Sequence, residues 1–259
     1  MKVSLSGKTD RGKKRPNNED DLAAVDLTAA KPVDPIEAEN LTVGERGVLL
    51  AVCDGVGGRR AGEVASALAL HTLSEEMDKL GNGCPRQTLF RTAVENVNER
   101  VRKEAKADAE LSGMATTLTA AVICRTRTLI AHVGDSRAYL VRGGHARQLT
   151  RDQTFIASLI ESGAMKKEDA ATSPYRSMIL QAIGREKKIQ VALDGIELLS
   201  DDLLLLCTDG LSEKVKREEL AEAFRARSLP DAVTSLIALA NERGGDDNIT
   251  LLAARVEEA

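Results

Sequence analysis

Two stretches constrain the fold of this chain more than any others: residues 48–53 (VLLAVC), which end at Asp54-Gly55, and residues 203–208 (LLLLCT), which end at Asp209-Gly210. An uninterrupted apolar run of strand length fits a strand covered on both faces, because a half-exposed strand would alternate. Each run nonetheless closes on a carboxylate, which is costly to bury alone. Two acids fixed at the ends of two core strands point to a partner that offsets both charges. A hard divalent cation is the simplest such partner, since Mg²⁺ and Mn²⁺ take carboxylate, carbonyl and water oxygens.

Further acids sit in the same setting. Residues 128–133 (TLIAHV) run into Gly134-Asp135, Gly244-Gly245-Asp246-Asp247-Asn248 leads into the apolar residues 249–254, and Glu19-Asp20-Asp21 precedes residues 22–27. Asp-Gly is also a common hairpin dipeptide, and Asp closes turns for local reasons. Asp194-Gly195 and Asp201-Asp202, between short apolar segments, read as ordinary turns of that kind. Asp54 and Asp209 differ, because the residues after each (63–80 and 218–225) carry helical spacing rather than a returning strand.

The 259 residues are enough to bury a substantial core, and no Pro/Gly/Ser-rich linker divides them, so one domain over residues 1–259 is expected. The 36 Lys and Arg are interspersed with 40 Asp and Glu for a net charge of −4, which gives no basic face for nucleic acid. Two Tyr, three Phe and no Trp leave no platform on which bases would stack. Nothing at the start reads as a signal peptide and no apolar run approaches ~18 residues, so a soluble, cytoplasmic protein without membrane contact is expected. Cys53, Cys124 and Cys207 fall in apolar strand-like segments, and Cys84 sits beside Pro85 in a loop. Their spacing matches neither a metal site nor a redox motif, so four free thiols are expected.

The pattern predicts strands near residues 2–9 and 22–27, a polar exposed loop over 29–46, the strand ending at Asp54, and helices over 63–80 and 86–109. A meander follows at 116–124, 129–133, 138–142 and 146–149, turning at Gly143-Gly144. A short helix over 152–163, capped by Asp152, precedes an irregular polar stretch. Strands return at 189–193 and 203–207, and a helix over 230–242 is stopped by Gly244-Gly245 before a last strand at 249–256. Meanders with paired helices between them favour two sheets with helices outside over alternating βαβ units.

Seven short motifs in order carry a family resemblance: Arg15-Pro16-Asn17-Asn18-Glu19-Asp20, Asp54-Gly55-Val56-Gly57-Gly58, Gly113-Met114-Ala115-Thr116-Thr117, Val133-Gly134-Asp135-Ser136-Arg137, Leu149-Thr150-Arg151-Asp152, Cys207-Thr208-Asp209-Gly210-Leu211 and Gly244-Gly245-Asp246-Asp247-Asn248. In these the chain resembles the metal-dependent Ser/Thr protein phosphatases of type 2C (the PPM family), in their compact bacterial form. The resemblance spans about residues 9 to 256 and implies an α+β fold, an αββα four-layer sandwich of two packed, mostly antiparallel sheets flanked by helices. It implies hydrolysis of phosphoserine and phosphothreonine in proteins, reversing a bacterial Ser/Thr kinase of the eukaryotic-like type.

Residue by residue, the resemblance makes Asp54 the carboxylate bridging two Mn²⁺ or Mg²⁺ ions, with the Gly55 carbonyl a further ligand. Asp209 and Asp247 complete the second ion, and Asp135 joins Asp209 at a weaker third. Glu19 and Asp20 act through metal-bound water, and Arg15 contacts substrate phosphate with an always-charged planar fork. Two ions about 3.5–4 Å apart would bridge a water, lower its pKa and deliver hydroxide in line to phosphorus, with no covalent intermediate. The implied partners are phosphoproteins and their Ser/Thr kinase, the chain itself is expected to be a monomer, and signalling is the setting. Residues 150–184 correspond to the flap beside the active site.

The chain departs from the pattern where animal relatives place a His after Asp-Gly, since here Val56 stands there. Many bacterial relatives carry a His after the second Gly-Gly; here it is Arg59. His71, His132 and His145 read as structural or surface residues, which leaves leaving-group protonation to a metal-bound water. Arg59 and Arg60 either extend the phosphate-binding surface or are solvated before a helix. The alternatives are a catalytically weak regulatory or binding module of the same fold, a phosphatase of an anti-sigma-factor antagonist, and a nucleotide-binding enzyme. The last rests on Gly55-Val56-Gly57-Gly58 between strand and helix, with Glu75 or Glu76 about 20 residues on.

Overall fold

The computed structural model of the chain describes residues 1–57, 61–176, 178–225 and 227–258. Its strands are β1 (Lys2–Asp10), β2 (Asp20–Asp26), β3 (Lys31–Val33), β4 (Glu37–Thr42), β5 (Val48–Val56), β6 (Ala115–Thr116), β7 (Leu118–Ile123), β8 (Thr128–Val133), β9 (Arg137–Arg142), β10 (His145–Gln148), β11 (Ala192–Ile196), β12 (Leu203–Cys207) and β13 (Ile249–Glu258). The helices are α1 (Ala61–Asp78), α2 (Gln87–Ala107), α3 (Phe155–Glu161), α4 (Asp209–Ser212), α5 (Arg217–Ala223) and α6 (Leu229–Glu242).

One sheet runs β10-β9-β12-β13-β1-β4 and the other β11-β8-β7-β5-β2-β3, with β6 pairing β5 outside that path. Each strand pair in the two sheets is antiparallel, which rules out the nucleotide-binding alternative and its parallel βαβ units.

Side-chain alternation explains the unbroken apolar runs. On β5, Leu49, Ala51 and Cys53 pack beneath α1 and α2, whereas Val48, Leu50 and Val52 meet the other sheet. On β12, Leu203, Leu205 and Cys207 pack beneath α5 and α6, whereas Leu204 and Leu206 face the first set across the sandwich. Three apolar layers therefore separate four layers of backbone, giving the αββα sandwich. A buried Leu contributes roughly 1.5–3 kcal/mol, and most of the core is Leu, Val, Ile and Ala.

The inter-sheet layer turns polar at one end. Extending the alternation past Leu206, Leu252, Val52, Leu22 and Leu5 brings Thr208, Thr250, Asp54, Asp20 and Thr9 onto the inward face. That end of the sandwich is where the site lies.

The structure corrects several expectations. The polar stretch 29–46 is not a loop throughout: β3 and β4 form there as edge strands of the two sheets. Edge strands tolerate exposed polar residues and Pro32, which hides their period from the sequence. Asp194-Gly195 is not a turn but part of β11, opposite Ile130 and Leu129. Asp201-Asp202 does turn, with Asp201 at φ 67°. The cap of α3 is Thr154, which accepts from the Ala157 N–H at 3.1 Å, while Asp152 is committed to Arg137.

The cysteine expectation is also overturned. Cys84, in the α1–α2 connection, is disulfide-bonded to Cys124 at the end of β7, with Cα atoms 5.9 Å apart. Cys53 and Cys207 are free and buried. The bridge ties the α1–α2 hairpin to the sheet it covers, closing a separation of 40 residues that no spacing rule marks. Closing such a loop restricts the unfolded chain and is worth about 2–4 kcal/mol. Cys84→Ser is expected to lower stability by about that much, read as a lower urea midpoint with a somewhat steeper slope as the unfolded chain expands; an unchanged midpoint would show that the bridge adds nothing.

Candidate metal centre

Asp20 opens β2 directly opposite Asp54 on β5. Like charges facing each other across an antiparallel pair destabilise a sheet, so this pairing alone requires compensation. Thr208 and Thr250 hydroxyls donate to Asp20 Oδ2 at 2.8 and 2.7 Å, while Oδ1 is buried without a partner. Asp209, the first residue of α4 beyond β12, and Asp135, in the β8–β9 connection, each bury an Oδ1 in the same unpartnered way.

The five acids share one field. Burial pushes the Asp54 carboxyl well above its usual range, reinforced by Asp20, Asp209, Asp135 and Asp247 in that order. Burial likewise raises Asp20 to about 8, Asp135 to about 7 and Asp209 to about 6, with neighbouring acids adding to each. Burial also raises Glu19. Arg15 Nη2 donates to Asp247 Oδ2 at 2.6 Å, and that contact raises the guanidinium further. Arg15, Pro16, Asn17, Glu19, Gly57 and Asn248 line a cavity of about 230 Å³.

Gly55 is required by space: a Cβ there would run into the Gly62 carbonyl and lie 2.6 Å from the Glu19 carbonyl oxygen. Arg59 and Arg60, with Gly58, lie outside the described residues. Val56 ends β5 and is part-exposed. His132 is buried between Thr119 Oγ1 at 2.9 Å and the Arg151 carbonyl at 3.0 Å, and burial lowers it to about 4, so it is a neutral structural imidazole. His71 pairs with Glu75 and His145 with the Gly143 carbonyl, both on the surface.

Several residues that position the acids were not singled out by the sequence. Thr117 Oγ1 accepts from the Asp54 N–H at 2.9 Å and meets Ser136 Oγ at 2.7 Å, while Thr116 Oγ1 donates to the Asp54 carbonyl at 2.9 Å. Asn248 Nδ2 donates to the Arg11 and Asn17 carbonyls at 2.9 and 2.8 Å, and its Oδ1 accepts from the Glu19 N–H at 2.8 Å. One amide thus joins the loop of Asp247 to the loop of Arg15 and Glu19. Arg137 holds Asp152 through Nε and Nη2, clipping the Asp135 loop to residue 152. Asp246 is a surface strap, bound by Lys14 and Lys214, which lower it to about 2. The motif positions of Thr116, Thr117, Arg137, Asp152 and Asn248 were the signal for these roles.

The donor set fits a hard divalent cation. It is all oxygen, three of its carboxylate oxygens are buried without partners, and its charges repel one another. Among the described residues no group of three or more His, Cys, Asp or Glu side chains is arranged to hold an ion as it stands. Arg15 engages one Asp247 oxygen.

An acid whose folded pKa lies above its unfolded value near ~4 favours folding at low pH, and that contribution is lost as pH rises through the folded value. With a chelator present, Tm is therefore expected to fall as pH rises from ~4 to about 8, the window set by Asp209, Asp135 and Asp20. Mn²⁺ should raise Tm, most strongly at the upper end. A flat pH profile with no response to Mn²⁺ would contradict the cluster's role.

A family model described as Protein phosphatase 2C matches residues 38–247. The serine/threonine phosphatase Stp of Listeria welshimeri is 35% identical over 95% of this chain and 92% of its own length. The crystal structure of the Mycobacterium tuberculosis serine/threonine phosphatase PstP/Ppp superposes with a TM-score of 0.84 at 34% identity, covering 100% of both chains. The catalytic domain of PstP in complex with two manganese ions superposes at 0.81 and 33% identity, again over 100% of both chains. The chain belongs to the protein phosphatase 2C family and is an enzyme of the protein-phosphatase class.

Proposed function

We propose that this chain hydrolyses phosphoserine and phosphothreonine esters in proteins, dependent on Mn²⁺ or Mg²⁺. The observation that carries the reading is the cluster of buried, unpartnered carboxylate oxygens on Asp20, Asp135 and Asp209. It lies around Asp54 and close to a cavity lined by Arg15. The relatives' activity and the two manganese ions in PstP support it.

Asp54, the Gly55 carbonyl, Asp209 and Asp247 would hold two ions, and Asp135 with Asp209 a third. When bound, these ions activate water as the nucleophile and offset charge on the phosphoryl oxygens.

The rest falls to the chain's own groups. Arg15 binds and orients the phosphate in its cavity, where a planar fork matches two oxygens. Asp20 is anchored through Oδ2 by two threonine hydroxyls, leaving Oδ1 to orient the attacking water by accepting a hydrogen bond from it. Glu19 lines the Arg15 cavity, and burial raises its carboxyl, which suits it to hold a proton there. The Cys53 and Cys207 thiols are fully buried and pushed up by that burial, Cys207 to about 12, so neither serves as a covalent nucleophile. Among the described residues no His lines the Arg15 cavity, so the leaving alkoxide takes its proton from water.

Residues 1–259 act as one catalytic domain. Residues 150–184, which carry α3 and the bridges Thr154↔Ile179 and Thr116↔Ile183, form its flap. The substrates are phosphoproteins of a partner Ser/Thr kinase whose action the enzyme reverses, with the enzyme working as a cytoplasmic monomer. Among the described residues no helix is long and apolar enough to cross a membrane.

Phosphate release from a phosphothreonine peptide is expected to require Mn²⁺ or Mg²⁺ and to exceed release from a matched phosphotyrosine peptide. Asp209→Asn should lower kcat by about 10²-fold or more while leaving the protein folded. Turnover without a metal, or an Asp209→Asn variant as active as the parent, would overturn the assignment.

A further inference from the structure

Away from the metal centre, α2 and the loop after the flap enclose a groove of about 630 Å³. Arg100, Arg102, Lys103, Lys106, Lys187 and Lys188 line it against a single acid, Glu99. This is a local excess of positive charge on a chain whose net charge is −4. Asn96, Glu99, Arg100, Lys103 and Lys106 recur at three- and four-residue intervals and so share one face of α2. Arg100 is paired with Glu104 at 3.2 Å, but among the described residues no ion pair reaches Arg102, Lys103, Lys106, Lys187 or Lys188.

The groove is built, not incidental. Asn98, buried on the adjoining face of α2, accepts from the Gly184 N–H at 2.8 Å and donates to the Glu186 carbonyl at 2.9 Å. A Cβ at Gly184 would lie 2.6 Å from Val101 Cγ1 and 2.8 Å from the Met114 carbonyl, so the loop sits hard against α2. This fixes Lys187 and Lys188 over the helix although like charges repel. The same segment leads back to the site: Ile183 pairs with Thr116, whose hydroxyl holds the Asp54 carbonyl.

We propose that this groove docks an acidic segment of the phosphoprotein substrate, distant in sequence from the phosphorylated residue. The inference rests on the phosphatase reading above. Charge complementarity selects the occupant, since five unpaired cations at a groove wall attract carboxylates. A nucleic acid is disfavoured because no aromatic side chain lines the groove for base stacking.

Two phosphothreonine peptides, identical except that one carries a run of Glu residues joined to the phosphorylated segment through a long Gly/Ser spacer, test this on the full chain with Mn²⁺. The extended peptide is expected to show a KM about fivefold lower or more, with kcat within about twofold, and to lose that advantage near ~0.5 M salt. Lys103→Gln, Lys106→Gln and Lys187→Gln combined should abolish the difference while leaving kcat/KM on the short peptide unchanged. Anisotropy of a fluorescent copy of the extended peptide reads the same Kd change without turnover, so loss of docking is separable from loss of catalysis. Equal KM and equal Kd for both peptides would overturn the proposal, as would an equal effect of the triple variant on both. Tighter binding of a single-stranded RNA oligonucleotide or of anionic vesicles than of the acidic peptide would also overturn it.

Discussion

The structure depends on one electrostatic conflict: Asp20 and Asp54 face each other across adjacent antiparallel strands at the end of the inter-sheet core. Asp135, Asp209 and Asp247 add to the same field. The Thr208 and Thr250 hydroxyls on Asp20 and the Arg137 charge near Asp135 and Asp209 relieve that repulsion only in part, since all three acids stay raised. The conflict is also what makes the site useful. Carboxylates kept from hydrogen-bond partners have lone pairs to give to a cation.

Much of the surrounding sequence holds this arrangement rather than touching substrate. Thr116 and Thr117 satisfy both backbone groups of Asp54, which fixes the acid that closes the hydrophobic run of β5. Thr208 and Thr250 occupy one oxygen of Asp20 and leave the other available. Asn248 binds the N-terminal and C-terminal acidic loops together across 229 to 237 residues of sequence, through three hydrogen bonds at one side chain. Removing the Thr117 hydroxyl or the Asn248 amide leaves a buried backbone group unsatisfied, at a cost of about 1–3 kcal/mol. The geometry of the acids is therefore an outcome of hydroxyls and amides placed at the ends of core strands.

The fold class and the acid positions were legible because their physical causes are local. Residues 48–53 and 203–207 are apolar on both faces, and each must end where burial ends, so the acids after them mark the cleft. What was not legible depends on distant partners. The edge strands β3 and β4 are polar and short, and only their hydrogen-bonding neighbours make them strands. The Cys84–Cys124 bridge joins a loop to a strand end 40 residues away. Asp152 resembles a helix cap until Arg137 is seen to claim it, which passes the cap to Thr154. Asn248 sits in a motif, but its three partners are brought to it only by the folding of both ends of the chain.

The central claim is that these acids exist to hold divalent cations between the ends of the two sheets. An anomalous difference map from crystals grown with Mn²⁺ tests it most directly. The account predicts peaks beside Asp54, with Asp209 and Asp247 turned toward them. Manganese bound elsewhere, with no peak at Asp54, would contradict it.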